Sequence, residues 1–249
     1  MVAKLKSVLQ NQLLPLALKP LIFAGLLFLI WWWNFNIFSI AIFLVGNFLL
    51  YIYPLMNSMV FFVSFIILIF LSLTSLFLVI GNFWVVSIVI FACTILFFLI
   101  IGLKNLHLTK KNYWYYLLNL CLFYGIFLNY FIEINDYFLI KLFLVFVISL
   151  LLFREFLKIS TKQVSRENNI LSLVLALLIG QLSWTVSWLP IGPIAGTNLL
   201  SIFVYSMENL ITLRTEGKLK DKKVIAKNIL VFCLLLIVII FTSQWQIGF

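Results

Sequence analysis

Apolar runs of about twenty residues follow one another along this chain, separated by short polar or Gly/Pro breaks. A helix crossing a bilayer needs roughly 20 such residues, and nine segments meet that pattern. They are expected at about 14–33, 37–55, 59–80, 83–103, 114–132, 137–157, 169–189, 197–213 and 228–244. The run from Phe61 to Ile80 is apolar on every face, whereas a transmembrane barrel strand alternates over about 10 residues. Backbone groups inside hydrocarbon must bond within their own segment, which favours helices. The expected fold is therefore an all-α integral membrane protein, one bundle and one polytopic domain over 1–249.

The breaks carry their own signals. Trp31, Trp32 and Trp33 close the first run as an aromatic anchor, and Asn34 to Asn36 turn the chain. Pro54 closes the second run, with a minimal turn at Met56 to Ser58, and Gly81-Asn82 turns the third into the fourth. Residues 1–13, with Lys4 and Lys6 among Leu5, Val8 and Leu9, read as an interfacial segment without a small-residue cleavage site. No internal repeat is visible.

Charge then orients the runs. Of 17 Lys and Arg residues, all but Lys141 fall at the N-terminus or at the inner ends after runs four, six and eight. Lys104, Lys110 and Lys111 lie in the first basic loop, and Lys158, Lys162 and Arg166 in the second. The third holds Arg214, Lys218, Lys220, Lys222, Lys223 and Lys227. The opposite turns are uncharged, apart from the acidic one with Glu133 and Asp136. Basic residues collect on the cytoplasmic side, so the N-terminus is expected inside and the C-terminus outside. Lys141 is expected to reach outward toward Asp136 or Glu133. The expected location is a cytoplasmic (plasma) membrane of prokaryotic type.

Composition supports the class and removes others. The 249 residues are 65% apolar and 10% charged, with a mean hydropathy of +1.22; soluble domains carry about 25% charged residues. A net charge of +10 is explained by loop topology and anionic lipid, so no nucleic-acid partner is expected. Cys93, Cys121 and Cys233 sit singly inside runs and read as apolar fillers, and His107 has no ligand spacing around it. No metal or cofactor is expected. Gly and Ala are scarce beside 27 Phe, which predicts bulky helix contacts.

Polar residues inside the apolar runs are the candidate chemistry. In run seven, Gln181, Trp184, Thr185 and Trp188 share one helical face. In run eight, Asn198, Ser201, Tyr205, Glu208 and Thr212 are spaced three, four, three and four, a polar stripe down the helix. Glu208 is the one carboxylate well inside a run, where a charge costs at least about 2.5–3.5 kcal/mol. It reads either as a proton-carrying or cation-contacting acid, or as a side chain reaching Arg214 at the boundary. Gln181 reads as a pocket group or as interhelical glue. The segment Pro190 to Gly196 reads as an outer turn, or as an unwound stretch with Thr197 or Asn198 capping the next helix. Asn47, Ser72, Thr74, Ser75, Asn119, Tyr124, Asn129 and Tyr130 are scattered, and core contact or glue is their default role.

There is no H-E-x-x-H, no G-x-S-x-G and no phosphate-binding glycine loop. The expected function is non-enzymatic: binding or passing a lipidic or small amphipathic ligand at a polar pocket between runs seven and eight. Gln181, Trp184, Thr185, Trp188, Asn198, Ser201, Tyr205 and Glu208 would line that pocket. A structural subunit contacting a membrane-protein partner is the alternative, and an acyl or glycosyl transferase on lipid carriers, with Glu208 as base, the third. Membrane lipids are expected partners in every case; the sequence leaves the oligomeric state open.

Overall fold

The computed structural model describes residues 2–53, 61–79, 81–105, 111–132, 137–161, 166–215, 217–218 and 222–242, without the side chains of 2–15, 105, 222–224, 227, 240 and 242. Its described residues form nine helices and no strand: α1 (Val2–Trp32), α2 (Ile37–Ile52), α3 (Phe62–Leu78), α4 (Phe83–Asn105), α5 (Lys111–Ile132), α6 (Phe138–Thr161), α7 (Arg166–Ser187), α8 (Pro193–Thr215) and α9 (Lys222–Thr242). Within α4, α5 and α7 lie three helices long and apolar enough to cross a membrane. Leu16–Trp32 of α1, α2, α3 and Asn228–Ile239 of α9 are apolar but shorter. Lys141, Arg154, Glu155 and Lys158 interrupt α6, and its own polar residues interrupt α8.

Two expected boundaries move. Residues 1–13 were expected as a separate segment, but α1 is continuous from Val2, and neither Pro15 nor Pro20 ends it. A proline inside a helix costs about 3 kcal/mol, and leaving a whole turn unbonded in apolar surroundings costs more. The α7–α8 connection is a compact turn closed by Leu189 N–H to the Val186 carbonyl and Ile191 N–H to the Leu189 carbonyl (2.8 Å). The α8 helix starts at Pro193 rather than 197, because proline suits the first helical position, where its missing N–H is not needed. Thr197 is no cap; its hydroxyl donates to the Pro193 carbonyl (2.8 Å). Elsewhere asparagine does cap: the Asn36 side chain accepts from Phe38 N–H (3.3 Å) and Asn82 from Trp84 N–H (3.1 Å).

The chain divides into two compact units, Met1–Trp114 and Tyr115–Phe249, where one domain was expected. In the first, buried positions on α1 fall at Leu16, Pro20, Phe23, Leu27 and Ile30, a spacing of four and three. Four helices each send rings to the centre. Phe23 of α1 stacks on Phe97 of α4 (4.4 Å) and meets Phe43 of α2 (5.7 Å); Phe65 of α3 stacks on Tyr51 of α2 (4.2 Å). Ser39, Asn47, Ser64 and Ser72 are fully buried, while Phe38 (71% exposed), Trp84 and Phe91 face outward. That is the reverse of a water-soluble surface.

The second unit uses size differently. The α6 helix packs most closely on α7, whose inner face carries Ser172, Ala176, Gly180 and Ser183. Small residues four apart let helix backbones approach, so the few available here are gathered on one seam. At the start of α8, Gly196 lies under the Phe131 ring of α5, and a Cβ there would meet ring atoms at 3.0–3.2 Å. The α9 helix joins α8 through Asn209 Nδ2 donating to Asn228 Oδ1 (2.9 Å) and a Phe203–Phe232 ring contact.

Gly196→Ala should therefore destabilise the purified protein by about 1–3 kcal/mol through overpacking. Phe131→Leu should recover part of that loss, read as the thermal midpoint in detergent. Equal midpoints for wild type and Gly196→Ala would show that α8 does not approach α5 at this point.

Candidate functional site

The inward face of α5 carries Tyr115, Leu118, Asn119, Leu122, Phe123, Ile126, Phe127, Tyr130 and Phe131. Most are apolar, with Tyr115, Asn119 and Tyr130 the exceptions. The Tyr115 hydroxyl donates to Glu155 Oε2 of α6 (3.0 Å), both residues being buried. One turn on, Asn119 Nδ2 donates to Glu208 Oε1 of α8, and both are fully buried. Between them the Tyr116 hydroxyl donates to the Tyr205 carbonyl (3.4 Å), and its ring meets Tyr205 edge-on at 6.0 Å. A single helix thus offers donors at successive turns to two carboxyl groups from two other helices.

The Glu208–Asn119 pair leaves two acceptor atoms over. Glu208 Oε2 and Asn119 Oδ1 have no hydrogen-bond partner among the described residues. A buried polar atom without a partner costs about 1–3 kcal/mol, so one such atom on each member of a hydrogen-bonded pair makes this a polar spot. Their chemistry is complementary to a hydrogen-bond donor or a cation. Glu208 turns inward to α5 and not to Arg214, which is exposed at the end of α8. No group of three or more His, Cys, Asp or Glu suited to a metal ion occurs among the described residues.

The eight residues expected in one pocket are not brought together. Glu208 is buried; Asn198, Ser201 and Tyr205 are half-buried beside it on α8. Gln181, Trp184, Thr185 and Trp188 are all exposed, Trp188 by 77%. On α7 the face turned inward is the one with the small residues, which permits the close α6 contact.

Several stripe hydroxyls serve their own helix. Ser201 donates to the Thr197 carbonyl (2.8 Å), Thr212 to Glu208 (2.9 Å) and Thr185 to Gln181 (2.9 Å). The residue that sequence reasoning passed over is Asn119, treated as scattered glue. The available signal was its place one turn from Tyr115 and three residues from Tyr116 on the same helix. Asp136 and Glu133, the expected partners of Lys141, lie outside the described residues, as does His107. Cys93 is buried as expected of a filler, but Cys233 is exposed on α9.

Glu208→Gln keeps an acceptor for Asn119 and should leave the thermal midpoint nearly unchanged. Asn119→Leu strands a buried carboxyl oxygen and should cost about 1–3 kcal/mol. The double variant Asn119→Leu/Glu208→Leu should be more stable than the sum of single losses predicts, a coupling of about 0.5–3 kcal/mol. Strict additivity of the two changes would dissolve the pair. Comparison with known proteins adds nothing to this site: no family model, no curated protein and no solved structure matches the chain.

Proposed function

We propose that this chain is a non-enzymatic integral membrane protein of nine spans, with its N-terminus cytoplasmic, that binds or passes a small amphipathic ligand through its C-terminal unit. The polar end of that ligand is received by Glu208 and Asn119, with Tyr116 and Tyr205 beside them. The observation that carries the reading is the fully buried, hydrogen-bonded pair Asn119–Glu208, whose other polar atoms, Glu208 Oε2 and Asn119 Oδ1, have no partner among the described residues. A ligand bearing N–H or O–H donors, an amine above all, would satisfy both. Carboxyl groups placed inside apolar helices mark ion, proton or substrate sites in membrane proteins. Support for nine spans comes from the all-helical fold, the apolar outward faces and the one-sided distribution of Lys and Arg.

An assembly-subunit reading rests on a separate observation, the exposed row of Gln181, Trp184, Thr185 and Trp188 on α7. An amide held against lipid tails has no partner there, and a facing helix from another protein would supply one. The two readings use different surfaces and are tested apart.

For the ligand reading, octylamine should raise the thermal midpoint of the purified protein, while octanol and octanoate should not. Glu208→Gln and Asn119→Leu should abolish the amine effect. Equal shifts for all three probes, or persistence of the amine effect in Glu208→Gln, would overturn it. For the threading, a thiol reagent that does not cross membranes should label Gly81→Cys in intact cells, with the native cysteines replaced by serine. It should label Gly217→Cys only after permeabilisation. Labelling of both positions from one side would rule out the arrangement. A photo-crosslinking residue at Trp184 that captures no protein in cells would remove the assembly reading.

A further inference from the structure

Residues 1–114 contain Lys4, Lys6, Lys19, Lys104, Lys110 and Lys111 and no Asp or Glu at all. The described lysines converge on one end of the first unit. Lys19 of α1 donates to the Leu50 carbonyl (2.9 Å) and to the Tyr53 carbonyl, both at the C-terminal end of α2. Lys104 of α4 donates to the Tyr51 carbonyl and stands 4.2 Å from the centre of the Tyr51 ring. Lys111 stands 5.1 Å from the centre of the Phe61 ring, at the residue that opens α3 with a left-handed φ of 64°. The last carbonyls of a helix carry partial negative charge, so Lys19 and Lys104 cap α2. No carboxylate of this unit is available to offset the lysines.

Beside that end lies a groove of about 420 Å³ between α2 and α3. Its walls are Leu44, Val45, Phe48 and Leu49 on α2 and Phe62, Phe65, Ile66 and Ile69 on α3. The groove and the lysine end share rings: Phe65 stacks on Tyr51 beneath Lys104, and Phe62 lies 6.0 Å from Tyr51. We propose that the first unit binds an anionic phospholipid, one acyl chain in the α2–α3 groove and the phosphate against Lys19, Lys104 and Lys111. Charge complementarity selects the headgroup, since a unit without acidic residues draws its counter-anion from outside itself. The walls select the chain. They lack Gly, Ala and Ser, the residues that let a second helix come close in a membrane, whereas a flexible acyl chain fits between Leu, Val, Phe and Ile. This site is separate from Glu208 and rests only on the membrane-spanning part of the proposed function.

Native mass spectrometry of the full chain in mild detergent, titrated with phosphatidylglycerol and phosphatidylcholine of the same acyl composition, tests the site. Wild type should retain phosphatidylglycerol at a several-fold lower concentration than phosphatidylcholine. Lys111→Gln, which leaves the α2 cap intact, should weaken phosphatidylglycerol alone by roughly fivefold. Lys104→Arg should keep the preference. Val45→Trp, which fills the groove, should weaken both lipids to the same degree. Inorganic phosphate at millimolar concentration should not displace the bound lipid. Equal retention of both lipids by wild type, unchanged binding in Val45→Trp, or displacement by phosphate would overturn the proposal while leaving the membrane reading intact. A chain that stays dispersed without detergent and retains neither lipid would sink both.

Discussion

Polar groups in an apolar interior are costly unless they find partners, and that cost shapes how the helices of this protein are tied together. Apolar side chains cover inward and outward faces alike, so burial by itself does little to choose a face. Most hydroxyls meet the constraint locally. Thr74, Ser87, Thr94, Thr161, Ser201 and Thr212 each donate to a carbonyl one turn back on their own helix. Side chains that reach further tie helices together. Tyr115 to Glu155 and Asn119 to Glu208 fix α5 against α6 and α8, and Lys104 fixes α4 against the end of α2.

Around those ties the two units fill their interiors by different means. The first stacks aromatic rings, one or two from each of four helices, with Phe23 and Phe97 nearly parallel at 6° and Tyr51 and Phe65 at 13°. Offset stacking adds about 0.5–1.5 kcal/mol per pair beyond burial and holds the helices at ring distance. The second unit presses α6 and α7 together along Ser172, Ala176, Gly180 and Ser183. Chain-wide scarcity of small residues had suggested bulky contacts throughout. Their concentration on one face of α7, not their number, governs the packing.

Glu208 was legible as the sharpest residue of the chain because a carboxyl group inside an apolar run is costly wherever it points. Its partner was not, since Asn119 lies 89 residues away on another helix and its place beside Tyr115 and Tyr116 does not say which helix it faces. The Gln181 row shows the same limit from the other side. Spacing places four residues on one face, yet whether that face turns inward depends on what a neighbouring helix can accommodate. Lys19 and Lys104 read as loop or boundary charges in sequence and prove to be caps on the end of α2.

Hydropathy by itself determined that the chain is helical and apolar enough in places to cross a membrane. Those properties follow from local physics, namely backbone bonding in apolar surroundings. Tertiary structure alone decided the division into two units, the continuity of α1 through two prolines, the inward face of α7 and the meeting of Glu208 with Asn119. In each case the outcome turns on a contact between residues far apart in the chain. A pattern of periods along one helix carries no information about the helix that lies against it.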